Sequence, residues 1–586
     1  MAVRRDVILA VVASLSLSLL ACAGTRGQKG NTARRSEGKP VVVFPKQADL
    51  AVILQHPVTP VDDSGFKQIE SWNFETATVS PGPLPQDAPW NRELTQLAAK
   101  HGQLHVGAGL NCVATEVARV WLAEGKLPDD EFLSYLGLRC DVDLPSFAVR
   151  VSDGAFPATI SDAQLWSEVQ TSGSFPLDSF LGDGPQALGL GVARSGDRVA
   201  VAAIGSRESV HLAEVSVTPD ANSEIQVRGQ LLVPLDQVQV VINRGQVAAE
   251  LCPTLVEGDK FRAICRVAED DPWAWFEVVG LQNSAVLRTV LARGFAQREE
   301  LPAAYRTQHY SDVATPQVTV TPQVTVTPQA KFQADLLTAL NARRRAAGLF
   351  LLRLEAAQSQ TAEQLTPHLF AALKGGDDQT ADMLSLALLA GWDVAGEIRN
   401  GGLFLSESRS RSAQGWVAAA LTSPTGRLNL LDPKAQAIAW GVHPVGQGSI
   451  DVTGTTFDFF EADDELLLER KLLAMLNAQR RLRNRPPMVG VKDLHEVDTA
   501  VKQISTYQQT PMEGLNQALE EVSASLGRTA HGYVLEGYDV ETLTFPEAAL
   551  RSGKLYGRVR VARQRPPGAS WTQLVAVLVF LPEDWM

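Results

Sequence analysis

Polar and apolar positions follow several distinct rhythms along the chain. Residues 88 to 145 carry apolar side chains at helical spacing, among them Ala114, Val117, Val120, Trp121 and Leu122. Shorter apolar segments follow at Leu188-Gly-Leu-Gly-Val192 and Val199 to Ile204, which predicts a mixed α+β region over 46–215. From about residue 216 the rhythm becomes alternation: Ile225, Val227 and Gly229, then Val238, Val240 and Ile242, then Trp273, Trp275, Glu277 and Val279. Turn residues at Asn243-Arg-Gly245 and Glu257-Gly258-Asp259 separate these runs, so 216–297 reads as a small β-sandwich. Thr315-Pro-Gln-Val-Thr-Val then repeats at Thr321 and begins again at Thr327. Regular proline forbids helix and inner strand alike, which makes 298–330 an extended linker.

Beyond the linker a longer repeat appears. Leu336-Leu-Thr-Ala-Leu-Asn-Ala-Arg-Arg-Arg345 returns 136 positions later as Leu472-Leu-Ala-Met-Leu-Asn-Ala-Gln-Arg-Arg481, a domain length rather than a solenoid period. Each copy reads as an amphipathic helix whose cationic last turn opposes its own dipole. Two tandem domains, 331–460 and 461–586, are expected. Leu574 to Phe580 is apolar at every position, as a strand buried on both faces must be.

Composition narrows the class. With 586 residues, 45% of them hydrophobic, the chain has apolar mass for roughly four domains. Its net charge of −13 argues against a nucleic-acid binder, because phosphate binding needs a surplus of Lys and Arg. Arg4 and Arg5 precede an apolar run, Val7 to Ala21, that is too short to span a bilayer. Leu19-Leu-Ala-Cys22 resembles a bacterial lipobox, in which the segment before the cysteine is removed and Cys22 carries lipid; a plain signal peptide with an incidental cysteine is the alternative. The resemblance implies a signal peptide over 1–21, a lipid-anchored tether over 22–45 and an outer-membrane or cell-surface lipoprotein, the outer membrane favoured by Ala23 after the cysteine. The membrane, through Cys22, is then the first expected partner.

With Cys22 acylated, four cysteines remain for an oxidising compartment. Three pairings are open, and local pairing of Cys112 with Cys140 and Cys252 with Cys265 is the simplest. Neither CxxC spacing nor a nearby histidine supports a metal reading.

Residues 331 to 460 carry a family resemblance. Leu337-x-x-Leu-Asn-Ala-x-Arg344, Gly348-Leu, Leu352-Arg-Leu-Glu355, Ala395-Gly-Glu-Ile398 and Thr422-Ser-Pro-Thr-Gly-Arg-Leu-Asn-Leu-Leu-Asp-Pro433 resemble the bacterial branch of the CAP superfamily, which includes cysteine-rich secretory, antigen 5 and plant pathogenesis-related proteins. The resemblance implies a three-layer α-β-α sandwich. The second copy is weaker: Leu472 to Arg481 matches and Trp571-Thr-Gln573 resembles the closing strand, but no Ser-Pro string lies between. Residues 88 to 215 are a third, more distant candidate, with Leu188-Gly-Leu-Gly-Val192 where the family has its Gly-x-Gly strand. The expected fold is therefore α+β multidomain, with three-layer CAP-like domains beside a small β-sandwich.

Metal-binding members of that family use two histidines beside two glutamates. Here the histidine slot of the Ser-Pro string is Gly426, with Arg427 retained, and the other falls near Leu365; neither can ligate a metal. His368, next to Pro367, reads as a loop or surface residue. Glu397 matches the family's Gly-Glu-Asn turn, with Ile398 in place of Asn, and reads either as a cleft carboxylate or as a loop-holding one. The usual tryptophan before Ser-Pro is Ala420, and Trp416 covers the same helical face. In the second copy the first histidine slot lies near Gln503, with His495 and His531 isolated. His101 and His105 have i, i+4 spacing, but nearby glycines spoil the helix such a metal pair needs. The acidic run Glu461 to Glu465 reads as helix-dipole complementarity rather than a calcium loop. Nucleophile-elbow, phosphate-loop and dinucleotide fingerprints are absent from the sequence.

Two functions compete. One is a lipid-anchored, non-enzymatic binding or scaffold protein that meets an envelope protein, glycan or lipid through Glu397, Arg427 and Trp416, with no cofactor. The other is a cell-envelope hydrolase, a peptidase or cell-wall enzyme, using Glu397 as its catalytic residue.

Overall fold

A computed structural model describes residues 44–55, residues 91–297 and 328–581 with breaks of which 172–185 is the longest, and short strands at Val12–Ser16, Arg34–Arg35, Ala77–Thr78 and Ala304–Tyr305. The fold is mixed helix and strand, and its sheets are open. It divides into two units: Met1–Ser16, Val52–Ser385 and Gly402–Thr456 form one, while Leu17–Ala51, Leu386–Gly401 and Phe457–Met586 form the other. Cys22, His101 and the linker between 306 and 327 lie outside the described residues.

The first unit begins with helix α1 (Asn91–Lys100), strand β1 (Leu104–Val106), α2 (Ala108–Glu124), α3 (Asp130–Arg139), β2 (Ala148–Ala155), α4 (Asp162–Thr171), β3 (Gln186–Ser195) and β4 (Arg198–Arg207). Its sheet runs β1-β3-β4-β2, with β1 parallel to β3 and the other pairs antiparallel. Alternation along β4 divides the packing. Ala200, Ala202 and Ile204 face α2 and α3, whereas Val199, Val201 and Ala203 face Leu94 of α1 and Leu165, Trp166 and Val169 of α4. The Gly-x-Gly of β3 has a steric cause: a Cβ at Gly189 would sit 2.4 Å from Leu110, and one at Gly191 would sit 2.1 Å from Thr115. The backbone of β3 thus lies directly on α2, and the buried Asn111 amide oxygen accepts from Leu190 N at 2.9 Å.

Next come β5 (Val210–Leu212), β6 (Glu224–Leu231), β7 (Gln237–Arg244), β8 (Ala248–Cys252), β9 (Thr254–Glu257), β10 (Lys260–Arg266), β11 (Trp273–Leu281) and β12 (Arg288–Gln297). They form a sheet β9-β10-β6-β5 and a ladder β8-β7-β11-β12, and the inward side chains of both enclose one core of Val227, Val240, Phe261, Phe276 and Leu291. The β-sandwich is present, and its first strand starts at Val210, ahead of the expected boundary at 216, because β5 pairs with β6. Gly258, at φ +64°, makes the β9–β10 turn.

The repeat at 331–460 supplies α5 (Pro328–Ala346), β13 (Arg353–Leu354), α6 (Ala356–Gly375), α7 (Asp378–Ala390), β14 (Ile398–Ser408), α8 (Ala413–Thr422), α9 (Pro424–Leu430), β15 (Ala437–Val445) and β16 (Ser449–Phe459). Pro328, the last proline of the repetitive spacer, opens α5, where its missing N–H costs nothing. The strand order is β13-β15-β16-β14, with β13 parallel to β15. Val12–Ser16 pairs with β14 and touches β12 at Ala13↔Thr289, joining this sheet to the β8-β7-β11-β12 ladder.

The second unit holds α10 (Asp464–Leu482), β17 (Val489–Gly490), α11 (His495–Ser505), α12 (Pro511–Leu526), β18 (His531–Gly537), α13 (Glu547–Arg551), β19 (Tyr556–Gln564) and β20 (Gln573–Leu581). The order β17-β19-β20-β18 repeats the arrangement of the other two four-stranded sets, again with the first pair parallel. Every residue of β20 is buried, its alternate faces meeting α10 on one side and α11 and α12 on the other. Parts of the 22–45 segment are described. Arg34–Arg35 adds an edge strand to β18, and the Phe44 ring lies 5.1 Å from that of the buried Trp571.

The repeated helices differ from the dipole reading of their basic ends. Arg344 and Arg480 are completely buried. Arg344 donates to the carbonyls of Phe350, Leu430, Asp432 and Ala435. Arg480 donates to those of Pro486, Ala549, Ser552 and Gly553. A planar group with five N–H donors satisfies converging loop carbonyls as no other side chain can. Asn341 Oδ1 accepts from Leu352 N at 2.8 Å and Asn477 Oδ1 from Met488 N at 2.7 Å, so both motif residues pin the loop after the helix.

Candidate functional site

The most distinctive sequence string forms the turn from α8 into α9. Ser423 caps α9, its Oγ accepting from Gly426 N at 3.2 Å, and Pro424 occupies the first helical position. Glu277 of β11, with no exposed surface, meets this turn. Its carboxylate accepts from Ser423 Oγ at 3.0 Å, Thr425 N at 3.0 Å and Thr425 Oγ1 at 2.6 Å, and pairs with Arg293 Nε at 2.9 Å. A buried carboxylate is tolerated only with such a full set of donors. Gly426 leaves no room for a side chain, because a Cβ there would lie 1.9 Å from the Ala420 carbonyl oxygen. A histidine at this position would have to displace the α8 backbone. Leu365, at the other slot, is in the core at 1% exposure. The residues present therefore do not fit the metal that the family resemblance implies.

The other candidates are each engaged within the fold. Trp416 is buried at 1% exposure, edge-on to Phe404 and Trp440, and offers no surface to a ligand. Arg427 Nε donates to Leu421 O at 2.6 Å, which ties α9 to the end of α8. Glu397, in the second unit, is exposed and pairs with Arg563 at 3.1 Å, while Arg563 also reaches Glu465 at 3.4 Å. The backbone carbonyl of Glu397 accepts from Phe460 N at 3.1 Å. Glu465, from the acidic run, thus has an arginine partner in addition to the α10 dipole.

A polar set on the α6 side of the first repeat escaped the sequence reading. Lys374 Nζ lies 2.9 Å from Glu407 of β14 and 3.7 Å from Asp451 of β16, both carboxylates being almost wholly buried. Burial pushes the Asp451 carboxyl up to about 7, Glu407 repelling its charge and Lys374 opposing the shift. His443 of β15 is pulled below its ordinary value by burial, then by Lys374 and His368. His368 lies inside α6, which continues through Pro367, and is not on a loop. The missed signal was a charge interrupting each apolar strand: Glu407 after Leu403-Phe-Leu405, and Asp451 between Ile450 and Val452.

In the N-terminal region His105 sits on β1, 3.3 Å from Glu208, and His211 lies 3.7 Å from the same carboxylate. The Glu208 hydrogen bond raises the His105 pKa against the effect of burial. Among the described residues no group of three or more His, Cys, Asp or Glu is placed to hold a metal ion. The disulfides are the two local ones: Cys112–Cys140 ties α2 to the end of α3, and Cys252–Cys265 lies inside the sandwich core. They point to an oxidising location. No helix among the described residues is long and apolar enough to cross a membrane. No family model and no curated protein matches the chain.

Proposed function

We propose that the chain is a lipid-anchored protein of the bacterial envelope whose CAP-like repeats act as non-enzymatic binding or scaffold modules. The closed turn at Gly426 carries this reading: where metal-binding members of the resembled family place an imidazole, this chain has a glycine pressed on Ala420 and a β-sandwich carboxylate bonded to the neighbouring hydroxyls. The shared strand order supports reading all three four-stranded sets as CAP-like α-β-α layers. The Asn111–Leu190 bond of the first set has a counterpart in Ser359 Oγ, which accepts from Trp440 N at 3.1 Å, and Gly441 approaches α6 as Gly191 approaches α2. The hydrolase alternative rests on Glu397, whose carboxylate is engaged by Arg563 at 3.1 Å.

Zinc calorimetry on the full chain tests the reading, with no binding expected tighter than roughly millimolar. A micromolar site, or peptide or peptidoglycan hydrolysis abolished by a chelator, would favour the hydrolase. Mass spectrometry should find Cys22 acylated at the mature N-terminus. Such processing removes Val12–Ser16, so the mature chain would present the β14 ladder positions that this segment covers.

A further inference from the structure

The outer face of the β9-β10-β6-β5 sheet stands apart from the acidic chain around it. Alternation buries Phe261, Ala263 and Cys265 of β10 and turns Lys260, Arg262, Ile264 and Arg266 outward, all exposed. Arg262 lies in register between Leu255 of β9 and Arg228 of β6. Two like charges directly opposite each other on neighbouring strands destabilise a sheet unless something outside it compensates. Arg228 reaches only Gln226 Oε1, and among the described residues Arg228, Lys260 and Arg262 have no carboxylate partner. Arg266 pairs with Glu224 at 3.5 Å, and Glu257 stands opposite Lys260. Leu255 and Ile264 are 49% and 41% exposed beside these cations. With Asp259, which accepts from Gln230 at 2.8 Å, the face carries four cations against three carboxylates, a net positive balance on a chain of net charge −13, with two aliphatic side chains among its arginines.

We propose that this face docks on an anionic phospholipid surface, Arg228, Arg262 and Lys260 meeting headgroup phosphates while Leu255 and Ile264 enter the headgroup boundary. Charge complementarity selects the partner, since basic residues gain at an anionic bilayer and the aliphatic ones need an apolar layer beneath it. The proposal extends the envelope reading, and its test is independent of the anchor. The full oxidised chain carrying Cys22→Ser, which cannot be acylated, is floated with phosphatidylcholine vesicles and with vesicles half phosphatidylglycerol. Binding is expected only to the second, lost in high salt and not competed by inorganic phosphate at matched charge. R228Q/R262Q should weaken it about twenty-fold, and Ile264→Ser more modestly, with the charge control R551Q unchanged. Urea unfolding of each variant confirms that the fold survives. Equal binding to both vesicles, no binding to either, full competition by phosphate, or retention by R228Q/R262Q would each overturn the proposal, while the acylation state of Cys22 would still be read separately by mass spectrometry.

Discussion

The repeats at 331–460 and 461–586 share their opening helix and diverge after it. In both, an asparagine holds the following loop and an arginine 136 residues from its counterpart fills a nest of carbonyl oxygens. The central strands then part company. In the first repeat β16 carries buried Asp451, Thr453, Thr455 and Asp458, whereas β20 of the second has only apolar side chains between Leu574 and Leu581. The recurring motif therefore marks a structural plug, and the strands behind it are free to become polar or wholly hydrophobic. In the first repeat the Ser-Pro turn, which the second repeat lacks, is bonded to the neighbouring sandwich.

That equivalence can be broken most directly at the plugs. Arg344→Met and Arg480→Met should each destabilise the repeat that holds it by about 3 kcal/mol or more, because several buried carbonyls lose their donors together. Hydrogen exchange resolved by peptide should show loosening confined to the mutated repeat, and a silent Arg480→Met would end the parallel. Glu277→Ala should cost about 3 kcal/mol by removing the buried acceptor shared by Ser423, Thr425 and Arg293, and its effect should appear in α9 and β11 but not in the second unit.

A pH series sharpens the contrast between the central strands. Between its ordinary value of 3.8 and about 7, folded Asp451 keeps a proton that the unfolded chain has released. Stability of the first repeat should fall as pH rises through that window and return on acidification, by roughly 4 kcal/mol at most. Asp451→Asn should flatten the dependence, whereas β20 offers nothing comparable. Glu397→Gln should have the smallest effect, under about 1 kcal/mol by urea unfolding, since its pair with Arg563 is half exposed. Loss of a hydrolytic activity in that variant would instead restore the enzyme reading.

Periodicity along the chain makes much of this architecture legible. The alternation from Ile225 onward marks the sandwich, the unbroken apolar run marks β20, and the cysteine spacings point to the two local disulfides. Long-range partners are not legible in the same way. Arg344 looks like any cation at a helix end until the loop carbonyls from Leu430 to Ala435 fold over it, and Glu277 fits an alternating strand equally well facing water or Ser423. Lys374, Glu407, Asp451 and His443 come from four separate elements, so a charge in an apolar strand marks a member of the set but not its partners.

The position of β20 governs how the second repeat can assemble. Residues 573–581 lie between β18 and β19, yet they leave the ribosome after both. Until they arrive, two strands wait with open inner edges, and afterwards an all-apolar segment of high β-propensity must find that slot before it finds another copy of itself. A late-arriving central strand thus leaves the decision between closing the domain and aggregating to one short segment made after both of its neighbours.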